Sequence, residues 1–193
     1  MNHSKAILAV LALAGAALAA PAAAQVGKGA LYAGAQLGSS EAKGDFCTAS
    51  GGCDNKDTAW RAFAGYQFHR HVGFEAGYIN FGTLKRGDPT TGDKFKTADA
   101  VEALAVISYQ VERAALFGKV GGYYSRFRGL NQGTGASIDE STGGLTFGGG
   151  LQYNAMRNLG IRGDWSRYQK AGGGAVGDTN IDVFLIGLVL QLP

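Results

Sequence analysis

Apolar and polar residues alternate with a period of two along most of the chain. Leu31, Ala33, Ala35 and Leu37 share one face, with Tyr32, Gly34, Gln36 and Gly38 on the other. The pattern returns over residues 60–69, 72–78, 102–110, 116–125, 145–154, 161–166 and 182–192. This period predicts strands, because successive strand side chains point to opposite faces. Polar segments at 39–57, 85–96, 128–141 and 171–178 alternate with short turns at Arg70-His71, Glu112-Arg113 and 154–158. No helix-length segment separates the strands, which excludes parallel βαβ units. The run at 182–192 is too short for a membrane helix of about 20 residues, but long enough for a tilted membrane strand of about 9–11. The expected fold is therefore all-β: an eight-stranded antiparallel up-and-down transmembrane β-barrel, with long loops outside and short turns in the periplasm.

The direction of the two faces separates a membrane barrel from a soluble one. A soluble ligand-binding barrel turns its apolar face inward, and a membrane barrel turns it outward. Trp60, Tyr78, Tyr124 and Trp165 stand at the loop ends of the apolar faces. Tyr66, Phe68, Tyr109 and Tyr153 stand at the turn ends. Two such groups fit the aromatic girdles at the two edges of a bilayer. The opposite face carries Gly, Gln, Ser, Thr and single charges, as suits a narrow, filled lumen.

Composition adds the route of the chain. Residues 1–24 have a basic start, an apolar run of small residues and leucines, and a closing Ala-x-Ala. These are the parts of a secretory signal peptide cleaved after Ala24. Residues 25–193 are then one barrel domain. Loss of Lys5 takes the formal charge from +3 to +2, since residues 1–24 contain no acid; this near balance gives no case for a nucleic-acid partner. None of the three prolines falls inside an alternating run, as a hydrogen-bonded sheet requires. In an exported chain Cys47 and Cys53, the only cysteines, are expected to form a disulfide.

These features resemble the small OmpA-type outer-membrane β-barrel family. The resemblance is carried by Ala33-Gly34-Ala35-Gln36-Leu37-Gly38, Phe63-Ala64-Gly65-Tyr66-Gln67-Phe68 and Gly73-Phe74-Glu75-Ala76-Gly77-Tyr78. Gly118-Lys119-Val120-Gly121-Gly122-Tyr123-Tyr124 and residues 161–168 continue it. The peptidoglycan-binding domain that many members carry after the barrel is not expected, so cell-wall tethering is not carried over. The closing strand keeps the family's terminal spacing at Gly187, Leu190 and Leu192, but without the aromatics. The resemblance implies a salt-bridge cluster inside the barrel. Glu75, Lys119 and Arg162 are all on the predicted inner face, about three to five residues from the turn end of their strands, with Asp164 and Gln152 near them. Charges in a narrow lumen must be paired, since an unpaired buried charge is costly. The cluster is expected to fix register and block a continuous pore.

Catalytic chemistry finds little support. A lipid-A deacylase would need His, Ser and an acid near the outer leaflet, whereas His69 and His71 are predicted at a periplasmic turn. No glycine-rich loop has phosphate-binding spacing. No cofactor or metal is expected. Lys85, Arg86, Arg126, Arg128, Arg167 and Lys170 map to the extracellular rim, where they could contact lipopolysaccharide phosphates. The expected partners are outer-membrane lipid and lipopolysaccharide, with the barrel-assembly machinery and periplasmic chaperones during biogenesis, and the barrel is expected to be monomeric. The expected role is a structural one in envelope integrity, with a loop-mediated adhesin or receptor, or a small pore, as the alternatives.

Overall fold

The computed structural model describes residues 29–43, 55–86, 93–131, 137–171 and 179–192, the side chains of 84–86, 93–97, 129–131, 137–138 and 140 excepted. The predicted signal peptide, Cys47 and Cys53 lie outside the described residues. Eight strands follow one another: β1 Ala30–Lys43, β2 Lys56–His69, β3 Val72–Arg86, β4 Asp93–Val111, β5 Ala114–Asn131, β6 Ser137–Asn154, β7 Leu159–Tyr168 and β8 Asn180–Leu192. Each pairs antiparallel with the next. β8 closes a barrel against β1, from Leu31↔Leu192 to Lys43↔Asn180.

Strand number, order and side-chain parity follow the sequence expectation, but strand length does not. β1 runs to Lys43 and β2 starts at Lys56, inside the segment expected to be loop. β3 reaches Arg86 and β4 begins at Asp93. β5 and β6 pair as far as Leu130↔Ser137, where a loop over 128–141 was expected. Alternation marks a strand only where its two faces meet different surroundings. Beyond the hydrocarbon layer both faces can be polar, and the backbone ladder continues without that signature.

Every strand presents large apolar side chains outward, such as Leu37, Phe74, Ile107, Leu116, Leu151, Ile161 and Ile186, with Phe68 on β2. Leu37, Ile107 and Ile186 are each more than 60% exposed. A belt around the whole barrel far exceeds the few hundred Å² of apolar patch usual on a soluble monomer. The polar-out alternative is thus excluded by geometry. Trp60 and Tyr78 pack together at the loop-end edge of the belt, ring centroids 5.4 Å apart, and Trp165 meets Phe147 edge-on at 5.9 Å.

The interior has three levels. At the loop end it is apolar, built from Ile79, Phe81, Phe127, Tyr168, Ile181 and Leu185 among others. Tyr168 packs edge-on against Phe81 at 4.9 Å and Tyr123 at 5.2 Å. This level departs from the expected Gly-and-polar inner face. It also explains why β8 is apolar on both faces: Phe184, Ile186 and Leu188 point outward, while Val183, Leu185 and Val189 are buried inside. The middle level is charged. The turn-end level is an open cavity of about 950 Å³. Beside the apolar level, the β3–β4 ladder shifts register around Gly82, whose φ of 81° suits glycine. Asp57 secures the bulge by accepting from the Thr83 amide, and Asn80 Oδ1 accepts from the Gly82 amide at 3.0 Å.

Candidate functional site: the charge cluster and the vestibule beneath it

Three cations and three carboxylates meet in the middle of the lumen. Arg61 of β2 donates from Nε to Glu102 Oε1 at 2.5 Å and from Nη2 to Glu75 Oε2 at 2.9 Å. Its Nη1 donates to Gln36 Oε1 at 3.2 Å. Arg162 Nη1 donates to Glu75 Oε1 at 2.6 Å. Lys119 Nζ lies 3.1 Å from Asp164 Oδ2, and Arg162 Nε lies 3.4 Å from the same oxygen. Two tyrosines add hydroxyls: Tyr32 donates to Glu75 Oε1 at 3.0 Å and Tyr168 to Glu102 Oε2 at 2.6 Å. All six charged residues are buried. Arg61, Lys119 and Arg162 against Glu75, Glu102 and Asp164 give three positive and three negative charges, so the cluster is neutral as a unit. Such balance is what burial demands, because an odd charge would lack a counter-ion in a low dielectric.

Glycines make the room. Glu75 stands opposite Gly65, Glu102 opposite Gly77, Lys119 opposite Gly148, Asp164 opposite Gly150 and Arg162 opposite Gly187. A Cβ on Gly77 would come within 2.9 Å of Glu102 Oε1. Each of these five charged side chains thus has an empty place across the ladder, whereas Arg61 stands between Gln36 and Ile79. Aromatic faces complete the packing: the Arg61 guanidinium is 4.3 Å from the Phe63 centroid, and that of Arg162 is 3.9 Å from Phe117 and 5.0 Å from Phe63.

The sequence-predicted Glu75, Lys119, Arg162 and Asp164 come together here. Gln152 stands across the ladder from Arg162, but its amide donates to Asn154 Oδ1 at 2.8 Å and does not reach the acids. Arg61, Glu102, Gln36, Tyr32 and Tyr168 were not singled out by sequence reasoning. Inward parity and the glycines opposite the charges were the available signals. Arg61 neighbours Trp60 of the loop-end girdle, yet its long side chain reaches down to Glu75.

Below the cluster lies the turn-end cavity, whose lining includes Arg162, Gln152, Gln191 and residues of all three short turns. His71 of the β2–β3 turn is not part of that lining. Its ring stacks on Tyr109 at 6.0 Å, with Nδ1 3.0 Å from the Ser108 carbonyl oxygen.

A model of the outer membrane protein beta-barrel domain matches residues 9–191. The chain belongs to that family. It is an outer-membrane β-barrel protein, so its short turns face the periplasm and its longer connections face the exterior. Among solved structures it is similar to Neisserial surface protein A, with 16% identity over 83% of this chain and 96% of that one, at a TM-score of 0.65. It is also similar to Ail, the attachment invasion locus protein of Yersinia pestis, with 19% identity over 87% and 100% and a TM-score of 0.55. OprG of Pseudomonas aeruginosa gives 14% identity over 85% and 95%, with a TM-score of 0.56. At these identities the likeness is one of fold. No curated protein matches the chain.

In this outer-membrane barrel the predicted rim residues are spread over β3, β5, β7 and the turn after β7. Arg126 and Arg128 are exposed on the outward face of β5, beyond Tyr124. Lys85 and Arg86 pair in register with Lys94 and Asp93, and their side chains are outside the described residues. Arg167 is already engaged: Nε and Nη2 donate to the two Asp182 oxygens at 2.6 and 2.8 Å, and Lys43 Nζ stands 3.2 Å from the same carboxylate. The Lys170 amide donates to Asn180 Oδ1 at 3.1 Å.

Proposed function

We propose that this outer-membrane barrel serves envelope integrity as a structural, non-conducting element without catalytic chemistry. The observation that supports this most is the double obstruction of its lumen. An aromatic and aliphatic level at the extracellular end packs above a neutral charge cluster. Ion passage would need both levels to open. That means breaking several charge-assisted bonds and parting rings packed at 4.9–5.2 Å. The pore alternative is therefore disfavoured by the same residues. Purified protein in planar lipid bilayers is expected to show no conductance steps; stable unitary openings would overturn the reading.

In the same reading the chain is exported through a signal peptide cleaved after Ala24 and carries a Cys47–Cys53 disulfide. Chaperones and the barrel-assembly machinery deliver it to the membrane as a monomer. Arg126 and Arg128 are exposed beyond Tyr124 at the loop-end edge of the belt, where lipopolysaccharide phosphates would be within their reach. Charge-assisted hydrogen bonds there would anchor the barrel in the outer leaflet. Arg126→Glu with Arg128→Glu is expected to slow refolding into lipopolysaccharide-containing bilayers and leave refolding into phosphatidylcholine unchanged. Equal slowing in both would remove the contact.

A further inference from the structure

The lumen is not uniformly filled. Below the charge cluster it opens to the periplasm as a blind vestibule of about 950 Å³, inside the range of roughly 300–1,000 Å³ typical of small-molecule sites. Each of the three periplasmic turns contributes one arginine to its lining: Arg70 between β2 and β3, Arg113 between β4 and β5, and Arg157 between β6 and β7. The Arg113 and Arg157 guanidiniums have no partner among the described residues, and Arg70 Nε donates only to the His71 ring, at 2.9 Å. Glu112 is the one carboxylate in the lining. Three arginines less one glutamate leave the mouth at +2, whereas the cluster above is neutral. The turn backbones that hold two of these arginines are braced from inside: Gln67 donates to the Arg70 carbonyl at 3.1 Å and Gln110 to the Glu112 carbonyl at 3.2 Å.

A second, independent feature sits at the closed end. Arg162 lines the cavity and is 2% exposed, yet its Nη2 has no hydrogen-bond partner. Phe117 and Phe63 lie against the guanidinium plane, which leaves its edge as the direction for a bond. Burying such a donor unpaired is unfavourable, and an anionic acceptor would relieve the cost. We propose that the periplasmic vestibule is a binding site for a compact soluble polyanion, carrying two or more carboxylate or phosphoryl groups. One anionic group would be held at Arg162 and the others by the arginines of the turns. The cluster closes the cavity above, so the site binds and does not pass its ligand.

The test uses the whole refolded protein in zwitterionic nanodiscs at low salt, titrated with inorganic pyrophosphate and, separately, tricarballylate. Binding is followed by calorimetry and by the NMR signal of the Arg162 Nε–H group. Saturable binding of at least one probe is expected, with movement of the Arg162 signal. A triple variant, Arg70→Gln, Arg113→Gln and Arg157→Gln, is expected to lose at least tenfold in affinity while keeping heat-modifiable gel migration. The corresponding triple Lys variant is expected to retain most of the affinity, and covers the case in which the Gln variant fails to fold. Neither probe binding, equal binding by the folded Gln variant, or binding that leaves the Arg162 signal unmoved would each overturn the proposal. So would a response that requires phosphatidylglycerol in the disc in place of a soluble probe, because the turns would then be contacting lipid headgroups.

Discussion

Removal of Arg61 is the most direct test of the charge cluster. Its guanidinium is fully buried and makes three side-chain bonds, to Glu102 at 2.5 Å, Glu75 at 2.9 Å and Gln36 at 3.2 Å. Arg61→Ala turns a neutral group of three cations and three carboxylates into one of net −1. Glu75 keeps Arg162 at 2.6 Å, but Glu102 keeps only the Tyr168 hydroxyl. Breaking a buried pair from one side costs about 3–5 kcal/mol. All six charged residues are buried, so the expected loss falls in that range, about 3–5 kcal/mol. Urea unfolding in lipid vesicles, followed by tryptophan fluorescence and heat-modifiable migration, measures it. The double variant Arg61→Met with Glu102→Gln restores neutrality at two cations and two carboxylates. It should recover more than half of the loss, since a balanced or apolar replacement often costs little where a half-broken pair costs much. A loss below about 1 kcal/mol for Arg61→Ala, in the range of an exposed ion pair, would refute the reasoning. So would a double variant weaker than the single one.

Other expectations isolate single contacts. Tyr168→Phe keeps the ring against Phe81 and Tyr123 but removes the bond to Glu102 Oε2; urea unfolding should show a loss of about 1.5–3 kcal/mol, the range for a hydrogen bond to a charged group. Gly187→Val should collapse refolding yield on a native gel, because even its Cβ would strike the Ala35 carbonyl oxygen and come within 2.5 Å of Gln36 Cα at the β1–β8 seam. Gly118→Ala has nothing nearer than 3.9 Å; it should leave stability unchanged or raise it by about 0.4–1 kcal/mol through the unfolded chain. Arg167→Gln breaks a pair whose cation is 35% exposed and whose carboxylate keeps Lys43; thermal melting should move little, because solvent screens an exposed ion pair.

Much of this barrel is local information. Side-chain parity is set by the pleat, so the outward belt and the inward position of Glu75, Lys119, Arg162 and Asp164 can be read residue by residue. The short turns and the apolar alternation likewise fix strand number, order and antiparallel pairing. The closing strand was equally legible, because Asp182 to Leu192 keeps the parity that the β1–β8 register uses.

What the sequence could not supply depends on strands far apart in the chain. Arg61 and Glu102 are 41 residues apart, and Glu75 and Arg162 are 87 apart. They meet because strand stagger and barrel radius set which side chains share a level. The same closure decides that the extracellular end is packed with Phe81, Phe127 and Tyr168, and that the periplasmic end stays open beneath Arg162. Along one strand an inward residue is only inward. Whether it fills, pairs or faces an empty vestibule is settled by what the other seven strands place across from it.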